Sequence, residues 1–194
     1  MNHPHYSLCA NVDVGPYLAD ARARGFRTTP ALVHLVSRAA NDIPRLRWRI
    51  RGDDIVEHEA VHPSFSVDVD GAEAFSFCEV AYSPDAKDFV GRATELMAER
   101  RANPSFEDEP GRDDYLFMSA LPWVHFTGVT HAMAYHPHDS VPRITWGKFV
   151  TSGDATLMPL SVQVHHALVD GRHLGHFFDR VEELVSSAAG EGVE

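Results

Sequence analysis

The segment LMPLSVQVHHALVDG, residues 157–171, constrains the fold more than any other stretch of the chain. Leu160, Val162 and Val164 alternate with Ser161, Gln163 and His165, a period of two that predicts a strand with one apolar face. The strand delivers His166. Asp170 and Gly171 then close a turn ahead of Leu174, Phe177, Phe178, Val181 and Leu184, which recur at helical spacing. A sheet has to receive that strand, and the helix has to pack its apolar stripe. A histidine at a strand end beside a tight turn is well placed as a general base, because its pKa near neutrality lets it take a hydroxyl or thiol proton and return it. A structural role is open to the same residues: Asp170 can orient the loop or cap the helix beginning near Arg172, and the histidines can be satisfied core groups. As a metal pair, His166 and Asp170 lack a third ligand in the sequence.

The rest of the chain supplies such a sheet. Residues 7–14 read as a strand, residues 16–25 as a short helix, and TTPALVHLVSRAAN as a long one, with Thr28 or Thr29 as cap and Leu32, Leu35, Val36 and Ala39 on its apolar face. Residues 46–50 and 55–56 form a hairpin about Gly52-Asp53. Strands follow around Phe65, Val67 and Val69 and over residues 75–80. Ser83 can cap a helix running to about Arg101. After a polar loop (103–114) come a strand at 116–120, stopped by Pro122, and a weaker one over 124–133. Segments 144–151 and 156–164 pair across Ser152-Gly153-Asp154, and residues 186–194 are expected to fray. No repeat or linker interrupts this order, which predicts one α+β domain over residues 1–194, a two-layer sandwich with a large mixed sheet covered by helices on one side.

Charge and cysteine content narrow the function. A formal net charge of −11 argues against general nucleic-acid or anionic-membrane binding, though a local basic patch for a small phosphorylated ligand remains compatible. Cys9 and Cys78 are the only cysteines, so no disulfide framework is expected. No segment has the pattern of a signal peptide or membrane span, and the chain reads as cytoplasmic. Of the 13 histidines, six (His3, His5, His58, His62, His136, His138) read as scattered loop residues, none sits in an HExxH spacing, and no metal is expected.

SALPWVHF, residues 119–126, adds a second reactive group, since the Ser119 hydroxyl at a strand end can donate to a developing oxyanion. Taken together, SALPWVHF, LMPLSVQVHHALVDGRH, TTPALVHLVSRAAN, LRWRI and HPSFSV resemble the chloramphenicol acetyltransferase family over nearly the whole chain. Lipoyl acyltransferase cores and peptide-synthetase condensation domains carry similar histidine motifs. The combination with SALPW and with GK before the last hairpin is the selective one. The resemblance implies a homotrimer with active sites between subunits, acetyl-CoA as co-substrate and a small-molecule acceptor. It assigns His166 as the base, Ser119 to the oxyanion, Thr145 to the same intermediate through water, and Asp170 to a structural tie through an arginine. Arg27 and Lys148 fall where basic residues meet the coenzyme's 3′-phosphate, and Phe149 where an aromatic packs on adenine. Tyr6, Phe75, Phe77 and His131 fall in the acceptor pocket.

The chain departs from the family pattern around the acceptor. The segment that supplies the family's pocket tyrosine and the arginine paired with the motif aspartate lies before the point where this chain begins. Asp170 therefore needs Arg47 or Arg172 as a substitute, or solvent, unless the protein begins further upstream. Phe77 replaces a small residue, His131 an aliphatic one, and Asp139 and Ser140 replace aromatics. The expected activity is acetyl-CoA-dependent O-acetylation, of chloramphenicol first. The alternatives are the same chemistry on another small alcohol or amine, or a non-catalytic small-molecule binding module.

Overall fold

The structure, a computed structural model, describes residues 3–106, 109, 111–134 and 139–190. Its first strand, β1 (His5–Asp13), pairs along its whole length with the last, β9 (Ala155–His165), and the chain between them lays down everything else. After β1 come α1 (Gly15–Ala23), α2 (Thr28–Asn41), a 3-10 turn (Pro44–Arg47) and a separate hairpin of β2 (Trp48–Arg51) and β3 (Asp54–Glu57). Then follow β4 (His62–Asp68), β5 (Phe75–Glu79), α3 (Ala86–Ala102), β6 (Tyr115–Leu121), β7 (Arg143–Gly147), β8 (Val150–Ser152), β9 and α4 (Gly171–Gly190). The main sheet runs β1-β9-β7-β6-β4-β5, with β8 pairing on β9. It is mixed: β4, β6 and β7 are parallel neighbours and the other pairings antiparallel.

The register sorts side chains by face, because directly opposed residues point the same way. Leu8, Val162, Ile144, Met118, Phe65 and Cys78 stand in one row across the sheet, with Ala10, Leu160, Trp146 and Ala120 beside them. This face packs with α2, α3 and α4 into one core that includes Leu32, Val36, Phe89, Leu174, Phe177 and Val181. The other face carries Ser161, Gln163, Thr145, Arg143, Ser119, Phe117, Ser64 and Phe77.

Several local expectations change. Thr28 and Thr29 are already helical, and Arg27 is the N-cap residue, without a side-chain cap bond. Asp85, not Ser83, caps α3: its carboxylate accepts from the Asp88 amide at 3.0 Å, while the Ser83 hydroxyl accepts from the Asp85 amide. Residues 124–133 form no strand, because both edges of β6 are already taken by β4 and β7. α4 continues to Gly190 rather than fraying from 186, and the remaining tail lies outside the described residues. His5 and His62 sit in strands rather than loops, and His136 and His138 fall outside the described residues. One unforeseen element is Arg49, fully buried, whose guanidinium donates to the backbone carbonyls of Leu46, Trp48, Asp113 and Tyr115 and so ties the hairpin to the start of β6. Burial lowers its pKa to about 10, so it stays charged at neutral pH.

Candidate active site

A pocket of about 540 Å³ opens on the face without helices, with Ser119 and His131 in its wall. Phe75 and Phe77 on the edge strand β5 form its apolar side, their ring centroids 5.6 Å apart. Phe117 and Arg143 line the pocket too; the Arg143 guanidinium lies 5.0 Å from the Phe117 ring centroid and is paired with Asp139 (Nη1–Oδ1 2.9 Å). Ser140 does not reach this wall in the same way: its hydroxyl accepts from the Ile50 amide and anchors the hairpin. Behind the pocket surface, Thr145 is fully buried, with its Oγ1 2.7 Å from His131 Nε2. Gln163 holds the His131 backbone at both ends, accepting from its amide at 2.6 Å and donating to its carbonyl at 3.3 Å, and also accepts from the Ser7 hydroxyl. Burial, and then the nearby Arg143 charge, push the His131 imidazole below its usual pKa and keep it neutral at pH 7.

His166 follows the last residue of β9. Its amide donates to the Pro4 carbonyl at 2.8 Å, and its exposed ring lies 5.0 Å from the Tyr6 ring. The Tyr6 hydroxyl is buried with no hydrogen-bond partner among the described residues, and burial followed by the Asp170 charge raises its pKa. The adjacent His165 is buried instead, edge-on to His5. A single chain does not bring His166 to Ser119. Ser119, Thr145 and Ser161 stand abreast on β6, β7 and β9. His166 is therefore five residues further along and two strands across, about 16 Å and about 10 Å at ordinary rise and strand spacing.

Asp170 is exposed. Its Oδ1 accepts from the amides of Arg172 (2.9 Å) and His173 (3.2 Å), capping α4, and lies 3.0 Å from His173 Nδ1. The His173 amide bond is the main cause of its lowered pKa. The aspartate is thus satisfied by backbone and solvent. Arg47 is committed elsewhere, to the carbonyls of His58 and Glu59 and the Glu57 carboxylate, and Arg172 contributes its amide.

The coenzyme candidates lie apart from the pocket wall. Arg27 is exposed at the start of α2, and Lys148 is exposed at the break between β7 and β8. Phe149, next to it, packs partly against the core. The preceding residue has to be glycine: a Cβ on Gly147 would stand 2.6 Å from the Val124 carbonyl and 2.7 Å from the Pro159 ring. That close approach is fastened by the Lys148 amide donating to the Val124 carbonyl at 2.9 Å. Among the described residues no group of three or more His, Cys, Asp or Glu side chains is placed to hold a metal, and no helix is long and apolar enough to cross a membrane.

Residues 2–182 match the chloramphenicol acetyltransferase family. Chloramphenicol acetyltransferase 3 of Escherichia coli is 31% identical over 183 residues, covering 94% of this chain and 86% of that protein. The chain belongs to the chloramphenicol acetyltransferase family. A chloramphenicol acetyltransferase from Klebsiella sp is 29% identical over 178 residues, covering 92% of this chain and 81% of that one. Among solved structures, a chloramphenicol acetyltransferase superposes with a TM-score of 0.79 at 24% identity, covering 95% of this chain and 89% of the other. The Azotobacter vinelandii dihydrolipoamide acetyltransferase superposes at 0.71 with 18% identity, covering 97% and 84%, so the two share the α+β fold.

Within this chloramphenicol acetyltransferase fold, three pocket features escaped the reading of the sequence. Gln163 shows in the sequence as a polar residue on the strand's second face, but its hold on the His131 backbone joins positions 32 apart and leaves no local pattern. Arg143 carried a weak signal in its spacing of four from Asp139. Ser64 and Ser66 carried only the alternation of β4.

Proposed function

We propose that this chain is an acetyl-CoA-dependent O-acetyltransferase, with chloramphenicol as the first acceptor to test. Residues 1–194 form one acyltransferase domain, and the working unit is a cytoplasmic homotrimer. The match of nearly the whole chain to the family carries the reading. The His166–Ser119 separation supports an active site shared between copies in a ring of heterologous contacts, with His166 of one subunit facing the pocket that Ser119 lines in the next.

In this reading the acceptor lies against Phe75 and Phe77, with Tyr6 beside the base. His166 takes the proton from the acceptor hydroxyl as that oxygen attacks the thioester carbonyl carbon. The carbonyl oxygen becomes an oxyanion, to which the Ser119 hydroxyl donates. The intermediate collapses with cleavage of the carbon–sulfur bond, His166 returns its proton to the departing thiolate, and the products are the acetyl ester and free CoA. Arg27 and Lys148 supply cationic partners for the coenzyme phosphate, and Phe149 an aromatic face for its adenine. Asp170 fixes the turn that carries His166 by capping α4. Thr145 acts from behind the pocket surface, through His131.

The test is thiol release from acetyl-CoA with chloramphenicol, using the protein and its His166→Ala variant. Turnover near the wild-type rate in a folded His166→Ala protein overturns the assignment of the base. Co-assembly of His166→Ala chains with Ser119→Ala chains checks the shared site, because it is expected to restore activity well above that of either variant alone. The polar wall formed by His131 and the Arg143–Asp139 pair favours a second reading, the same transfer to a different small alcohol or amine. A panel of acceptors that ranks chloramphenicol clearly first would remove it.

A further inference from the structure

Ser119 shares its pocket with an imidazole, and the surroundings of that ring determine where its proton sits. Thr145 is fully buried, and His131 Nε2, at 2.7 Å, is the hydrogen-bond partner of its hydroxyl. A buried hydroxyl proton left unmatched is costly, so the Thr145 O–H donates and Nε2 accepts. Burial and the Arg143 guanidinium hold the ring neutral, which leaves one ring proton, and with Nε2 accepting it must be on Nδ1. Nδ1 has no hydrogen-bond partner among the described residues. The main chain that carries the ring is held as well, because Gln163 grips it at both N–H and C=O.

We propose that His131 is a specificity-determining residue of the acceptor site. Thr145 locks its ring in the Nδ1–H tautomer, and that N–H is the donor that recognises a carbonyl, nitro or ether oxygen on the acceptor. The lock follows from the Thr145 contact together with the burial and the Arg143 charge that keep the ring neutral. The identity of its ligand rests on the acyltransferase reading. An aliphatic residue at this position would offer the acceptor only a hydrocarbon wall, whereas His131 makes the pocket discriminate by hydrogen bonding, opposite the phenylalanines that discriminate by shape.

Two measurements on the full-length protein test this. With the histidines labelled with nitrogen-15, and His131→Gln used to identify the signal, the ring nitrogens of His131 are expected to report the neutral Nδ1–H form at pH 7.5. Thr145→Val is expected to release that form. An Nε2–H or doubly protonated ring overturns the lock. In the thiol-release assay with chloramphenicol, His131→Leu is expected to raise the acceptor KM about two- to tenfold, the net worth of one neutral hydrogen bond, with the KM for acetyl-CoA unchanged. His131→Gln, whose side chain restores an N–H donor, is expected to recover part of that loss. An unchanged acceptor KM in a folded His131→Leu protein overturns the recognition role. A wild-type protein that acetylates no alcohol overturns the acyltransferase reading and the recognition role with it, while the tautomer still stands or falls on its own signal.

Discussion

On one side of β9, Leu160, Val162 and Val164 are buried with the apolar side chains of the helices. On the other side, Ser161, Gln163 and His165 are buried too, but no helix among the described residues covers them. The first surface is held by hydrocarbon contact, which is non-directional and tolerates exchange of similar shapes. The second is held by bonds of fixed direction: Gln163 to His131, His131 to Thr145, and Arg143 to Asp139. Removing one partner from such a set strands the other, so its members have to be right together. A sheet with both rules on its two faces separates the work of folding from the work of chemistry. Substitutions on one face should move stability, and substitutions on the other should move turnover.

The largest expected effect is at the exposed end of β9. His166→Ala should lower kcat for acetyl transfer by about 10²–10⁴-fold, the usual range for a lost general base. Because the ring is exposed, the unfolding midpoint in urea should hardly change. Ser119→Ala comes next, with a loss of about 10²–10³-fold in kcat and a stability change within about 0.5 kcal/mol. A large destabilisation by either variant would break the separation of the two faces. Leu160→Ala is the converse test. Its side chain is fully enclosed, so the variant should lose about 2–5 kcal/mol in urea unfolding, while the kcat of the fraction that remains folded stays near wild type.

The same division explains what could be read from the chain. The helix-side layer is periodic, and period is what a sequence displays. The alternation in β9, the apolar stripe of α2 and the stripe of α4 were all evident, and the α+β architecture followed. His166 stands out because it follows the end of such a pattern, whereas the roles of His166 and Ser119 come with the resemblance to the family. On the polar face the period shows where a side chain points but not which partner it meets. Residues 124–133 carry enough apolar residues to read as a strand, yet β6 just before them already has β4 and β7 on its two sides, and His131 is held instead by the Gln163 side chain, a contact 32 residues away in sequence. The arginine sought for Asp170 was unnecessary, since two backbone amides at the start of α4 do that work. Buried Arg49 gave no sign of its role, because an arginine in a short hairpin usually faces water.

The smallest effect separates two histidines that titrate in the same direction. His34 lies within the helical layer, 3% exposed, with its Nε2 3.2 Å from the Ser83 carbonyl and its ring against Phe89 and Tyr82. Burial is the main cause of its lowered pKa, with Arg38 and Arg24 adding to the shift against the Ser83 carbonyl bond. A histidine whose folded pKa lies below its unfolded value leaves the unfolded chain holding more protons just under about pH 6.5. Stability therefore falls as the pH drops through that range, by at most about 1.4 kcal/mol per pH unit for one proton. His62 and His131 are lowered by burial too and contribute with the same sign, so the difference between proteins is the informative quantity. His34→Gln should show a shallower loss of unfolding free energy between pH 7 and 5 than wild type, with the same acceptor KM at each pH. If the KM shifted with His34→Gln, the helical layer would be reaching through the sheet into the pocket, and the two faces would not be independent.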